Sequence, residues 1–134
     1  MSDKIFVDSN VFVYILSGDE RFREKALSIL DSNPIITVQV VNENVMACLK
    51  KLKMSKADSF EHGRRLMNNC TVSSLNESVV HYAFSISIKY NYSYWDSLIL
   101  ASALENKCSI IFSEDMQHQQ VIENSLKIIN PFLF

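Results

Sequence analysis

Four acidic residues of this chain stand where apolar segments end or where helices are expected to begin: Asp8, Glu43, Asp96 and Asp115. Carboxylate oxygens are the ligands that Mg²⁺ prefers, and a cation held on such carboxylates promotes hydrolysis of phosphodiesters in water. Like charges brought close together repel and raise one another's pKa, so a cluster of four is costly unless a cation lies among them. If the four converge, the sequence therefore predicts a metal site.

The elements that must position these acids are short apolar segments alternating with longer helical patterns. Strands are predicted at residues 4–7, 35–38, 71–74, 109–112 and 127–129, and helices at 21–31, 40–51, 58–69, 77–90 and 94–105. Helical crossovers favour a mainly parallel sheet covered on both faces, so we expect an α/β fold, a three-layer α/β/α arrangement with a mainly parallel central sheet.

Ligands collect at the carboxyl edge of such a sheet. Asp8 and Asp115 lie just past the first and fourth predicted strands. Glu43 and Asp96 are expected in the first turns of helices that enter from the same edge. All four can therefore converge on one pocket.

Length and composition predict a single domain over residues 1–134, because 134 residues that are 48% hydrophobic can fill one core. No apolar stretch approaches the roughly 20 residues of a membrane-spanning helix, and no signal peptide is evident, so we expect a cytoplasmic protein. The three cysteines, Cys48, Cys70 and Cys108, are odd in number and lie in apolar surroundings. They are expected to be reduced core residues.

Each acid also has a structural interpretation. Asp8 could cap a turn or helix after its strand, and Glu43 could favour the helix dipole. Asp96 lies three residues after Ser93, the spacing of a capping box. Asp115 could cap a turn, with Glu114 as a solvated neighbour.

Four segments resemble the acidic blocks of PIN-domain (PilT N-terminal) nucleases, in particular the small VapC-like toxins of bacterial toxin–antitoxin pairs. The segments are IFVDSNVFVY, VVNENVMACL, YWDSLILASAL and IIFSEDMQ. By this resemblance, Asp8, Glu43, Asp96 and Asp115 match the family's metal-binding carboxylates, with Glu114 as the alternative to Asp115. Ser9 stands where Thr is frequent in the family.

The resemblance implies an RNA-cleaving enzyme with one or two Mg²⁺ or Mn²⁺ ions, which would activate water for in-line attack on phosphorus. Asn10 and Ser113 would hydrogen-bond the carboxylates or a metal-bound water. The implied partners are RNA, a small antitoxin protein and a second copy of the chain. Residues 11–16 and 40–52 are candidates to line the antitoxin groove, although core burial explains most of their apolar side chains equally well.

The net charge of −2 is unusual for a nucleic-acid binder. The four acids contribute −4 to this total, and metal binding would offset their charge. Residues 50–65 carry six of the thirteen basic residues against Asp58 and Glu61, a local excess of four positive charges. Either RNA-backbone contact or a solvated helix face explains this cluster. The candidate RNA contacts are Lys50, Lys51, Lys53, Arg64 and Arg65.

Two other function classes fit the sequence less well than a nuclease. A phosphoacceptor receiver would need paired acids after the first strand and an acceptor Asp after the third, and neither is present. A catalytically silent interaction module on the same scaffold would be expected to lack one or more of the four acids. All four are present, which favours the enzyme.

Overall fold

The computed structural model describes residues 3–134. Along this part of the chain, six strands and six α-helices form a three-layer α/β/α arrangement, which confirms the predicted fold class. The strands are β1 (Ile5–Val7), β2 (Ile35–Thr37), β3 (Thr71–Ser73), β4 (Ile110–Phe112), β5 (Val121–Ile122) and β6 (Leu126–Ile129). The helices are α1 (Ser9–Val13), α2 (Glu20–Asp31), α3 (Val38–Lys50), α4 (Lys56–Asn69), α5 (Glu77–Tyr90) and α6 (Tyr94–Glu105), and a 3-10 helix covers Tyr14–Leu16.

The sheet has the strand order β3-β2-β1-β4-β6-β5, and all neighbouring strands are parallel except β5 and β6. Phe6 in β1 lies opposite Ile35 of β2 and Ile111 of β4. Phe6, Ile36, Ile111 and Ile128 are fully buried because helices cover both faces, the environment in which parallel sheets are stable. The carboxyl ends of β1 and β4 therefore lie side by side.

Side chains at the helix starts fix where the helices enter. Asp8, Asp19 and Ser93 each accept a hydrogen bond from a backbone N–H of the first turn of α1, α2 and α6, respectively. In α6, every residue from Ser97 to Ala103 is buried, so packing holds this helix on all sides. A helix buried in this way provides a rigid support for Asp96 in its first turn.

The structure differs from the predicted elements at three places. Val38, predicted to end a strand, begins α3, so Glu43 is the sixth residue of the helix and lies in its second turn instead of the first. Helix α1 with the 3-10 helix that follows it, and strand β5, were not predicted, because five, three and two residues are too short to show a periodicity. The remaining boundaries agree to within two residues.

The three cysteines are buried and unpaired within residues 3–134, as predicted. No helix in that range is long and apolar enough to cross a membrane.

Candidate active site

Asp8 occupies the junction between β1 and α1 and is almost completely buried, with 6% of its surface exposed. Its Oδ1 accepts a hydrogen bond from Ser9 N at 2.7 Å, and its Oδ2 accepts one from Ser113 Oγ at 2.9 Å. The pKa of Asp8 is raised from 3.8 to about 6, first by burial and then by the negative charges of Asp96 and Asp115, although both hydrogen bonds oppose the rise. Asp8 is thus a helix cap and also part of an acidic cluster.

Glu43 reaches the same junction from α3. Ser9 Oγ donates a hydrogen bond to Glu43 Oε1 at 2.8 Å, so the residue after Asp8 ties a second carboxylate to the start of α1. The position of Glu43 in the second turn weakens the interpretation that it serves the helix dipole, because that effect falls off within the first turn.

Asp96 lies in the first turn of α6, where its backbone N–H donates to Ser93 Oγ at 3.1 Å. The predicted serine cap is therefore present. Burial, the charge of Asp115 and the charge of Glu43 raise the pKa of the Asp96 carboxyl group, and the Ser93 hydroxyl opposes them. Capping and electrostatic coupling to the other acids coexist in this residue.

The loop after β4 carries two neighbouring acids that face different partners. Asn10 Nδ2 donates a hydrogen bond to Asp115 Oδ2, which places Asp115 at the start of α1. The Glu114 carboxylate instead accepts from Tyr14 Oη, at 2.8 Å for each oxygen. Of the two, Asp115 is the acid whose charge acts on both Asp8 and Asp96.

The four predicted acids thus meet at the carboxyl edge of the sheet, although they come from four separate elements. None of them forms an ion pair with a basic side chain of residues 3–134. Burial and the neighbouring charges raise the pKa of Asp8 and Asp96, and a cation bound among the acids would offset both effects. The oxygen donor set suits Mg²⁺ or Mn²⁺.

The carboxylates are not gathered at ligand distance. Over residues 3–134, no group of three or more Asp, Glu, His or Cys side chains is close enough to hold a metal ion. Glu43 and Asp115 instead direct an oxygen to Ser9 and Asn10, respectively. A divalent cation would therefore have to draw the acids closer together.

The polar residues expected to support the acids lie in contact with them. Asn10 contacts Asp115, and Ser113, which is fully buried, donates to Asp8 and accepts from Met116 N at 3.2 Å. From the sequence, Ser9 stood out only as a departure from the family pattern. Its place between Asp8 and Asn10 in the tripeptide Asp-Ser-Asn was the available signal.

A second residue that the sequence did not reveal is Asn44. This fully buried side chain donates from Nδ2 to Ser9 O at 2.8 Å and to Val40 O at 2.9 Å. His62 Nε2 lies 3.1 Å from Asn44 Oδ1. A buried polar chain from α4 through α3 therefore holds the first turn of α1, where the acids meet.

The candidate RNA contacts separate into two groups. Lys51 lines a cavity of about 320 Å³ together with Asn10 and Asp115, and Lys50 and Lys51 line an adjoining cavity together with Glu43. The other three lie elsewhere. Lys53 is in the turn after α3, Arg64 pairs with Glu61 at 3.2 Å, and Arg65 lines a separate groove beside α4.

Comparison with known proteins gives a consistent result at the level of family and fold. The family model for the PIN domain matches residues 5–124. No curated protein matches the sequence.

Solved structures with a similar fold share little sequence identity with this chain. A toxin–antitoxin complex from Klebsiella pneumoniae superposes with a TM-score of 0.73 at 14% identity, covering 96% of this chain and 98% of that one. VapC20 from Mycobacterium tuberculosis, described as a sarcin–ricin loop cleaving toxin, gives 0.67 at 18% identity, covering 84% and 92%. DNA-bound VapBC from Salmonella typhimurium gives 0.71 at 14% identity, covering 95% and 97%.

Proposed function

Because this chain belongs to the PIN domain family, we propose that it is a Mg²⁺- or Mn²⁺-dependent endoribonuclease that acts in the cytoplasm as the toxin of a toxin–antitoxin pair. One observation carries the enzymatic part of this proposal. The charges of Asp96 and Asp115 act on Asp8, those of Asp115 and Glu43 act on Asp96, and no basic side chain of the described residues forms an ion pair with any of the four acids.

Each residue has a distinct task in the proposed reaction. Asp8, Glu43, Asp96 and Asp115 would hold one or two cations. A bound Mg²⁺ or Mn²⁺ would supply Lewis acidity for attack of water on phosphorus. The Ser113 hydroxyl and the Ser9 N–H orient the Asp8 carboxylate through its two oxygens. Asn10 restrains Asp115 in the same way.

Lys50 and Lys51 are the basic residues best placed to bind the RNA backbone. Both are exposed, and both line cavities that also contain site carboxylates or Asn10. Phosphate groups bound there would be held beside the acidic cluster, and the lysines would offset its negative charge.

The alternative is a catalytically silent module on the PIN scaffold. In such a module Asp8 would serve only to cap α1, a role that Asn or Ser could fill without a buried carboxyl group whose pKa is raised by burial. Natural proteins retain unfavourable groups of this kind mainly at functional sites, which favours the enzyme.

We expect the purified protein to cleave single-stranded or looped RNA when Mg²⁺ or Mn²⁺ is present. VapC20, a structural neighbour, is described as cleaving the sarcin–ricin loop, so a labelled hairpin is a suitable first substrate. Gel analysis should show that excess EDTA stops cleavage and that added Mn²⁺ restores it. Protein carrying Asp8→Asn, purified in parallel, controls for contaminating nuclease. Cleavage that persists in EDTA, or that the variant retains, would contradict the metal mechanism.

The antitoxin part of the proposal is supported by a groove of about 500 Å³ between the 3-10 helix and α4. Leu16, Met54 and Arg65 are among its lining residues. Most of the apolar residues at 11–16 and 40–52 are buried or half-buried, but Leu16, Met46 and Leu52 are exposed. An amphipathic antitoxin segment could cover these three side chains.

Expression of the protein alone should arrest bacterial growth, and co-expression of the small protein encoded beside it should relieve the arrest. Leu16→Asp should preserve toxicity and reduce the relief, because it changes the groove and leaves the acids intact. Colony counts measure both effects. Harmless expression of protein that cleaves RNA in vitro would refute the toxin role.

We also expect the protein to form a homodimer, which analytical sedimentation would detect.

A further inference from the structure

A cavity of about 430 Å³ lies directly beside Glu43, on the side away from Lys50 and Lys51. Its walls come from the start of α3, the loop after β3 and the start of α6. The lining residues are Val38, Gln39, Asn42, Glu43, Leu75 and Trp95. Glu43 is thus shared between this cavity and the acidic cluster.

Trp95 is the dominant feature of the cavity. It is the only tryptophan of the chain, directly precedes Asp96 and is 63% exposed, so it does not fill the core. Its ring packs edge-on against Tyr94 at 5.4 Å between centroids, and this contact supports it from one side. A large aromatic side chain exposed next to a nuclease site is suited to stacking on a nucleobase.

Two amide side chains complete the cavity. Gln39 Nε2 donates to the Trp95 carbonyl at 3.3 Å, whereas Gln39 Oε1 is buried and has no hydrogen-bond partner among residues 3–134. Asn42 is exposed beside it. A buried amide oxygen without a donor is unfavourable, so rotation of the Gln39 amide toward a ligand N–H in the cavity would be favourable.

The charge of the lining selects the part of RNA that fits. The only ionisable side chain lining the cavity is Glu43, which would repel a phosphate, and the two lysines line the neighbouring cavities instead. A neutral, flat group with donors and acceptors on its edge matches the aromatic and apolar walls and the two amides. Unpaired RNA bases are recognised in this way.

We propose that this cavity binds one unpaired base of the RNA, with Trp95 stacking on the base and Gln39 and Asn42 contacting its edge. The inference rests on the proposed nuclease function, because Glu43 joins the cavity to the catalytic acids. The cavity would then determine which nucleotide is preferred next to the cleaved bond.

The single tryptophan allows a direct test of binding. In metal-free Asp8→Asn protein, short oligoadenylate and oligouridylate should each quench Trp95 fluorescence in a saturable manner. Inorganic polyphosphate, which has the charge without the bases, should not. Fluorescence anisotropy of an end-labelled oligonucleotide measures binding independently. If the oligonucleotides bind but Trp95 fluorescence stays unchanged, or if they do not bind at all, the proposal is overturned.

Substitution tests the energetic contribution. Loss of one stacked base weakens binding by about 5-fold to about 150-fold, so Trp95→Ala should raise the Kd for labelled RNA within that range. Phe84→Ala is the matched control, because Phe84 is exposed, also packs against Tyr94, with ring centroids 5.9 Å apart, and does not line the cavity. Its Kd should equal that of the parent protein.

The same two variants distinguish a base-binding site from a protein-binding surface formed by Phe84, Tyr94 and Trp95. If a second copy or another protein chain covers this surface, Trp95→Ala and Phe84→Ala should both weaken that assembly in sedimentation, and neither should selectively weaken RNA binding. That outcome overturns the base site. Gln39→Leu should broaden the nucleotide preference at the cleavage site, read by sequencing RNA ends. An unchanged preference also counts against the proposal.

Failure of the subsite and failure of the nuclease are distinguishable. Metal-dependent cleavage by wild-type protein together with unaffected RNA binding by Trp95→Ala overturns only the base site. Saturable quenching without any metal-dependent cleavage leaves base binding intact and refutes the enzyme.

Discussion

Asp96→Asn is expected to reduce metal-dependent RNA cleavage by at least about 100-fold, because loss of a metal ligand should cost no less than loss of a group that supports one. The same change should alter the free energy of unfolding by no more than about 1 kcal/mol. The substitution keeps the backbone N–H that Ser93 caps and removes only a charge near the helix start. Single-turnover cleavage rates and thermal unfolding of one preparation measure both quantities.

Asp58→Asn is a close control for this experiment. Asp58 lies in the first turn of α4, and its backbone N–H donates to Ser55 Oγ at 3.1 Å, which repeats the capping geometry of Asp96 and Ser93. Asp58→Asn should change the free energy of unfolding by a similar amount and leave RNA cleavage unchanged. If Asp96→Asn and Asp58→Asn cleave RNA equally well, capping is the entire role of Asp96.

Asp8→Asn is expected to raise the melting temperature of the metal-free protein at neutral pH. The difference between 3.8 and about 6 in the pKa of Asp8 corresponds to about 3 kcal/mol of destabilisation when the group is ionised. Recovery of a third of that free energy would raise Tm by about 3–5 °C in a chain of this length. Asn can still accept from Ser9 N and can donate to Ser113 Oγ, so the capping bond is retained.

The advantage of Asp8→Asn should depend on pH with a defined sign. Well below pH 3.8, Asp8 is protonated in both the folded and the unfolded wild type, so the variant has no electrostatic advantage. Between pH 3.8 and about pH 6, Asp8 keeps its proton in the folded state but has lost it in the unfolded state. The stability of the wild type therefore declines relative to the variant as pH rises through this range. Above about pH 6 the advantage is complete. Calorimetry in EDTA across this range measures it.

Metal should reverse the order of the two proteins. A ligand at about 100 times its Kd adds about 2.7 kcal/mol to the native state, and wild type should gain more than a variant with one carboxylate fewer. The two melting curves should therefore cross as Mn²⁺ is titrated. The control is Asp19→Asn. Asp19 also caps a helix, by accepting from Arg21 N at 3.0 Å, but it is exposed and contacts none of the four acids. An equal rise for Asp19→Asn would remove the evidence for a strained cluster.

Much of the fold could be predicted from the sequence because its signals are local. The alternation of apolar segments with helical patterns predicted the parallel sheet, and the serine at position 93 predicted a helix start that the structure confirms. Helix α1 and strand β5 escaped prediction because their length gives no periodic pattern. The start of α3 was misplaced because Val38 is β-branched and apolar, which favours a strand until the tertiary structure overrides it.

The sequence by itself determined the four acids, their order and their place at strand ends or in helices, since these follow from residue type and spacing. The tertiary structure decided which groups meet. It directed Glu114 to Tyr14 and Asp115 to Asn10, and it brought Lys50 and Lys51, but not Arg64, to the acids. Contacts such as Ser113 to Asp8 join residues that are far apart in the chain, and they exist only because β1 and β4 pair and end side by side. No local pattern specifies that pairing, because its free energy comes from burial of both strands in one core.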